Sequence, residues 1–295
     1  MKLDWLRGCA TALLTPFNND GSIDIDCLRK LTNRQIENGV KILVPCGTTG
    51  ESATMTPEED WLVISTVIEV AKDRAKVIAG ASNNDTALTI RNTQKVRELG
   101  ADAALIASPY YNKPTQEGLV AHYSAIAEAV EDFPIVLYNV PGRTASNISA
   151  ATTIRLANLF ENIVCTKEAS GNFSQIMEII NGKPENFVVF SGDDATALPL
   201  IAVGAGGVTS VISNEFPREF NNLVEECLAG NFEKAREIHY KFLPLMEANF
   251  IESSPAPCKF VMKEMGLLED KLRLPLVSIT EKTKEILLQI LAELT

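Results

Sequence analysis

Short apolar runs recur about every 20–35 residues along the chain, and most are followed by a stretch whose apolar positions repeat at helical spacing. Eight such runs stand out, at residues 9–14, 42–45, 77–80, 104–107, 135–139, 164–167, 188–191 and 208–211. They show little alternation between apolar and polar positions, the mark of strands buried on both faces in a parallel sheet wrapped by helices. Helix starts are marked by caps. Asp24 precedes a helical pattern over 27–38, Thr56-Pro57-Glu58-Glu59 precedes one over 61–72, and Thr86 precedes one over 88–99. Gly39 and Gly100 end helices, because glycine takes the left-handed C′ conformation without steric cost. Eight consecutive βα units predict an α/β fold, a closed (β/α)8 TIM barrel.

Beyond Glu215 the helical periods exceed what one barrel helix needs, with patterns over 218–228, 232–248, 256–265 and 281–294. The surplus predicts a C-terminal helical extension. The expected division is a barrel of residues 1–225 carrying the active site and a helical region of residues 226–295, a candidate oligomer contact. No Gly/Ser linker, low-complexity tract or repeat interrupts the βα rhythm.

Composition narrows the function classes. Apolar residues make up 46% of the chain and charged residues 22%, ordinary values for a globular protein with a sizeable core. The formal net charge of -11 repels a phosphate backbone or an anionic membrane surface, which sets nucleic acid aside. Six cysteines show no C-x-x-C spacing, which argues for reduced thiols rather than a zinc knuckle or a disulfide framework. The N-terminal segment has no continuous apolar stretch and no run is long enough to span a bilayer, so a cytoplasmic protein is expected. Two histidines, His122 and His239, leave little material for a metal site or a serine triad.

Active sites of such barrels lie at the C-terminal ends of the strands, and this rule sorts the lysines. Lys41 and Lys76 stand at strand starts, on the opposite face. In Ile163-Val164-Cys165-Thr166-Lys167-Glu168, alternation puts Ile163, Cys165 and Lys167 on one face and Thr166 and Glu168 on the other. With that face inward, Lys167 is an amine among apolar walls at the catalytic end. A free lysine amine titrates near about 10.4, and burial favours its neutral, nucleophilic form, which condenses with ketones. On the residues alone, an interior lysine paired with Asp193 explains the pattern equally well.

Other residues surround this position. Tyr138 ends the strand before Lys167, where it either shuttles protons or hydrogen-bonds a loop carbonyl. Pro141-Gly142-Arg143-Thr144 is a turn able to aim Arg143 at a substrate carboxylate, or simply into solvent. In Cys46-Gly47-Thr48-Thr49-Gly50-Glu51-Ser52, backbone N–H groups and two hydroxyls converge on an anion. No Gly-Lys-Ser/Thr follows, so a keto acid carboxylate suits the loop better than a nucleotide. Gly192-Asp193-Asp194 forms a pocket edge or caps the next helix, and Gly204-Ala205-Gly206-Gly207 reads as an anion loop or as tight packing. Tyr110 and Tyr111 reach the same rim, beside Lys113, a rival nucleophile on a polar loop.

Six motifs occur in order: Ala12-Leu13-Leu14-Thr15-Pro16-Phe17, Gly47-Thr48-Thr49-Gly50-Glu51, Pro109-Tyr110-Tyr111-Asn112-Lys113-Pro114, Tyr138-Asn139-Val140-Pro141-Gly142-Arg143-Thr144, Lys167-Glu168-Ala169-Ser170-Gly171 and Ser191-Gly192-Asp193-Asp194. Across nearly its whole length the chain resembles the dihydrodipicolinate synthase and N-acetylneuraminate lyase family. The resemblance implies that Lys167 binds pyruvate as an imine and that Tyr138, Thr49 and Tyr111 relay protons, Tyr111 into a neighbouring subunit's site. It also implies that Arg143 holds the carboxylate of L-aspartate 4-semialdehyde, and that Thr48, Thr49, Gly192 and the backbone at Thr209 border the pyruvate end. The implied product is 4-hydroxy-tetrahydrodipicolinate, of lysine and diaminopimelate synthesis. No metal or organic cofactor is implied, and the implied assembly is a homo-oligomer, a homotetramer or dimer.

Sialic acid lyases usually carry Gly-Ser-Thr-Gly-Glu where this chain has Thr48-Thr49, and they lack the Gly142-Arg143-Thr144 turn. Both features favour the synthase branch over an aldolase for N-acetylneuraminate or a keto-deoxy sugar acid. Two further alternatives are a phosphosugar isomerase using Gly204-Ala205-Gly206-Gly207 and a barrel retained only for binding. In lysine-inhibited relatives, polar groups occupy the positions of Pro57 and Asp60, and often a glutamate that of Leu88. Asn84 and Tyr110 are retained here, yet Leu88 cannot pair with an ammonium, so inhibition by lysine is expected to be weak or absent.

Overall fold

The computed structural model describes Met1 and residues 3–294. Lys2, in the N-terminal segment, and Thr295, the last residue of the expected helical region, lie outside the described residues. Among the described residues the strands are β1 (Gly8–Ala12), β2 (Ile42–Val44), β3 (Lys76–Gly80), β4 (Ala103–Ala107), β5 (Ile135–Asn139), β6 (Ile163–Glu168), β7 (Val188–Ser191) and β8 (Gly207–Ser210). They pair in parallel in chain order, and β1 closes the barrel on β8 through Gly8↔Gly207 to Thr11↔Ser210. Around them run α1 (Ile25–Glu37), α2 (Pro57–Ala71), α3 (Thr86–Glu98), α4 (Gln116–Ala129), a single turn α5 (Pro141–Thr144), α6 (Ala150–Leu159), α7 (Phe173–Gly182), α8 (Ala197–Ala202) and α9 (Pro217–Leu228). The C-terminal helices are α10 (Phe232–Ala248), α11 (Ala256–Glu264) and α12 (Glu281–Leu294). The expected boundary between residues 225 and 226 falls inside α9, which packs on β1 and β8.

Local chemistry explains the helix starts. Asp24 accepts the Cys27 N–H at 2.9 Å, satisfying one of the donors a helix leaves open. Thr56 and Glu59 exchange hydrogen bonds in a capping box, with Pro57 at the first helical position. The α3 cap is Asp85 rather than Thr86, because the carboxylate one residue earlier reaches the Leu88 N–H at 2.7 Å. Thr86 instead turns its hydroxyl to His122 Nδ1, 2.9 Å away.

Alternation sorts the strands into two cores. Ala10, Ile42, Val44, Ile78, Leu105, Val136, Cys165 and Phe190 fill the barrel, while Leu43, Ala104, Ile106, Leu137 and Val189 pack outward on the helices. Ile163 belongs to the outer set, not to the face of Lys167 as alternation predicts. The reason is a bulge: Ile135 pairs with Ile163 but Val136 pairs with Cys165, leaving Val164 as an extra residue. The shift ends there, so Tyr138 pairs with Lys167 and Asn139 with Glu168.

Candidate active site

Lys167 sits next to last in β6, between Tyr138 on β5 and Phe190 on β7 in register. Its residue is 7% exposed, and its Nζ lies 4.3 Å from the centre of the Tyr138 ring. Among the described residues it makes no ion pair, so the reading as a partner of Asp193 fails. The Asp193 side chain instead accepts the Thr196 N–H at 3.1 Å. Glu168 points outward and is saturated there. Its carboxylate accepts from Asn139 Nδ2 at 3.1 and 2.9 Å, from the Ser170 N–H at 2.8 Å and from Gln175 Nε2 at 3.2 Å. These bonds fix the loop that follows the lysine.

A cavity of about 640 Å³ opens above Lys167, and Thr48, Thr49, Tyr138, Gly142, Arg143 and Gly192 line it together with the lysine. The Thr48-Thr49 loop is folded tightly. Cys46 and Glu51 both have left-handed backbones at φ 57 and 56, and Gly47 and Thr48 carbonyls accept from Gly50 and Glu51. The loop lies so close over β3 that a Cβ on Gly80 would meet the Cys46 carbonyl oxygen at 1.9 Å. Thr49 is buried while Thr48 is exposed. On the opposite wall, a Cβ at Gly192 would come within 2.6 Å of the Ala169 Cβ, so only glycine lets the loop after β7 pack there.

Arg143 is presented by α5. The Val140 carbonyl accepts from the Arg143 and Thr144 N–H groups, and Ala145 closes the turn at φ 56. Thr144 Oγ1 donates to the Ser146 carbonyl at 2.9 Å and accepts from Ser108 Oγ at 3.2 Å. The turn is thereby rigid, and its exposed guanidinium stands between this cavity and a second one.

Two expected residues do not border the cavity of the single chain. Thr209, 5% exposed, sits on β8 opposite Ala10. Tyr111 is 89% exposed on the loop after β4, with a left-handed backbone at φ 73 that a bulky residue adopts only under constraint. The Gly204-Ala205-Gly206-Gly207 stretch leads into the start of β8, the barrel end remote from Lys167. An anion bound there would not reach the lysine.

Residues 250–254, between α10 and α11, also line the cavity and escaped the sequence reading. No local pattern marks them. Phe250 and Ile251 are 42% and 50% exposed at the mouth, and Glu252 is tied to the start of α12 by the Thr280 N–H and hydroxyl, at 2.9 and 2.8 Å. Val211 lines the same cavity because Asp194 holds its backbone. The Asp194 carboxylate accepts the Val211 and Ile212 N–H groups at 3.0 and 2.9 Å. Burial pushes its pKa up to about 6, and those two hydrogen bonds oppose the rise.

The second cavity, about 500 Å³, is lined by Ser52, Ala53, Pro57, Asp60, Trp61 and Tyr110 among others. Burial raises Asp60 to about 6, moderated by the Ser52 hydroxyl, which donates to Oδ2 at 2.9 Å. Asn84 donates to the Tyr110 carbonyl at 3.2 Å, and Leu88 is 40% exposed outside the lining. Among the described residues no group of three or more His, Cys, Asp or Glu is placed to hold a metal ion. Among the described residues no helix is long and apolar enough to cross a membrane.

A model of the dihydrodipicolinate synthetase family matches residues 5–294. The 4-hydroxy-tetrahydrodipicolinate synthase of Koribacter versatilis is 50% identical over 98% of this chain and 96% of its own length. The solved structure of dihydrodipicolinate synthase from Aquifex aeolicus superposes with a TM-score of 0.95 at 42% identity, covering 98% of each chain. The Cyanidioschyzon merolae enzyme, solved with lysine bound, gives a TM-score of 0.95 at 40% identity over 98% of each chain.

Proposed function

The chain belongs to the dihydrodipicolinate synthetase family, and from that membership we propose that it condenses pyruvate with L-aspartate 4-semialdehyde to 4-hydroxy-tetrahydrodipicolinate. This is a lyase reaction of lysine and diaminopimelate synthesis, carried out in the cytoplasm. One observation carries the chemistry: a lysine amine buried at the C-terminal end of a barrel strand, beside a tyrosine and without a carboxylate partner among the described residues. Such an amine attacks the C2 carbonyl of pyruvate and, with loss of water, forms an imine. Loss of a methyl proton gives the enamine, whose carbon attacks the aldehyde. The semialdehyde's own amine then attacks C2, closes the ring and releases Lys167.

Each step moves a proton. Tyr138 and Thr49 line the same cavity as Lys167, which supports their role as the relay. Tyr111, standing clear of its own chain, completes the relay in a neighbouring copy, so the working unit is a homo-oligomer, a homotetramer or dimer. Arg143 holds the semialdehyde carboxylate. Thr48, Thr49, Gly192 and the Thr209 backbone enclose the pyruvate end. The covalent imine makes a cofactor unnecessary for this chemistry. Residues 1–225 carry the nucleophile and relay, and the C-terminal region that follows adds the 250–254 wall.

The test is borohydride reduction in the presence of pyruvate, followed by peptide mapping. A single reduced pyruvate adduct on the Lys167 peptide is expected, with turnover of L-aspartate 4-semialdehyde far exceeding that of sugar aldehydes. An adduct elsewhere, or none, refutes the assignment.

A further inference from the structure

Beneath the Thr48-Thr49 loop, four distant segments meet around a charge pair shielded from water. Lys259 on α11 places Nζ 2.5 Å from Glu51 Oε1, and neither side chain has any exposure. The other oxygen of Glu51 accepts the Arg273 N–H at 3.2 Å. Lys259 also donates to the Lys271 carbonyl at 2.8 Å and lies 4.4 Å from the centre of the Phe17 ring. The Arg273 guanidinium covers the same ring at 4.5 Å, bonds Glu59 twice at 2.7 and 2.6 Å, and donates to the Thr54 carbonyl at 3.0 Å. Thr15 Oγ1 donates to the Gly50 carbonyl at 2.7 Å.

The loop is therefore held at Gly50, Glu51 and Thr54, immediately after the threonines. Glu51 adopts a left-handed backbone, which a non-glycine residue keeps only when its surroundings over-determine it. A buried ion pair adds little stability over a well-packed apolar pair, but it fixes the direction of both groups. We infer that Lys259 is a positioning residue for the condensation: through Glu51 it sets where Thr48 and Thr49 stand relative to Lys167. This rests on the proposed relay role of Thr49.

Lys259→Met removes the cation and leaves the loop's carboxylate without its partner. A displacement of about 1 Å in a catalytic group costs up to roughly 100-fold in rate. The expected result is a fall in kcat of about 10- to 100-fold, a change of less than about threefold in KM for pyruvate, and an altered pH profile of kcat. Borohydride should still trap pyruvate on Lys167 in the variant, because the nucleophile is intact. Should Lys259→Met not accumulate in folded form, Glu51→Gln, which keeps the side-chain size, carries the same measurements. The double variant Glu51→Gln/Lys259→Met is expected to recover melting temperature but not kcat. A wild-type kcat and pH profile in the single variant overturn the inference, as does recovery of kcat in the double variant. Failure of the wild-type chain to trap pyruvate would instead overturn the functional reading on which the inference rests.

Discussion

Lys167 and Lys259 are both buried, and each lays its nitrogen over an aromatic ring, Tyr138 at 4.3 Å and Phe17 at 4.4 Å. They differ in the next contact. Lys259 has Glu51 at 2.5 Å, whereas Lys167 forms no ion pair among the described residues and faces a cavity of about 640 Å³. Burial pushes the Lys259 amine down from its ordinary value, and the Glu51 carboxylate opposes that shift without cancelling it. One environment leaves an amine open to a cavity, and the other engages an amine in anchoring a loop. Burial alone does not separate the two lysines; the open face of Lys167 and its lack of a counter-charge among the described residues do.

The sharpest way to break this comparison is to replace Lys167 by Met. Turnover is expected to fall by about 10³-fold or more and the pyruvate adduct to vanish. Thermal unfolding should move little or upward, since no ion pair is lost. Lys259→Met should do the reverse to stability, costing about 3–5 kcal/mol because Glu51 is left as a lone buried charge. Urea titrations of the two variants side by side give the answer, and equal midpoints would abolish the distinction drawn here.

Arg143→Ala tests the cavity's other end. Loss of a charge-assisted contact worth about 1.5–3 kcal/mol predicts a drop of roughly 10- to 150-fold in kcat/KM for the semialdehyde. Pyruvate trapping should be unaffected, and a parallel loss of trapping would place Arg143 at the pyruvate end instead.

Asp60 extends the reasoning to a buried acid without a cation. Its pKa is raised from 3.8 to about 6, above the unfolded value, so the native state binds the extra proton between those pH values. Stability from this group consequently falls as pH rises through that window, and the full penalty is present above it. Asp60→Asn should flatten the pH dependence of melting temperature between about 4 and 6 and raise the midpoint modestly at neutral pH. An unchanged slope would show that Asp60 is compensated in the folded protein.

The smallest expected effect is that of free L-lysine at sub-millimolar concentration on steady-state turnover. Leu88 supplies no carboxylate, so little inhibition is expected. Although the Cyanidioschyzon merolae relative was solved with lysine bound, it is 40% identical, and a few side chains decide such affinity. Strong inhibition would mean that Asp60 provides the missing counter-charge from the second cavity.

By itself the amino-acid sequence determined the rhythm of strands and helices, most of the caps, and the position of Lys167 at the C-terminal end of its strand. These follow from interactions between residues a few positions apart, where periodicity and capping chemistry act directly. The tertiary structure decided what depends on closure of the barrel. It turned Ile163 outward through a one-residue bulge and brought residues 250–254 to the mouth. It also joined Glu51 to Arg273 across 222 positions of chain. Periodicity tells a residue which face it occupies, but its partner on that face is chosen by how the whole backbone packs.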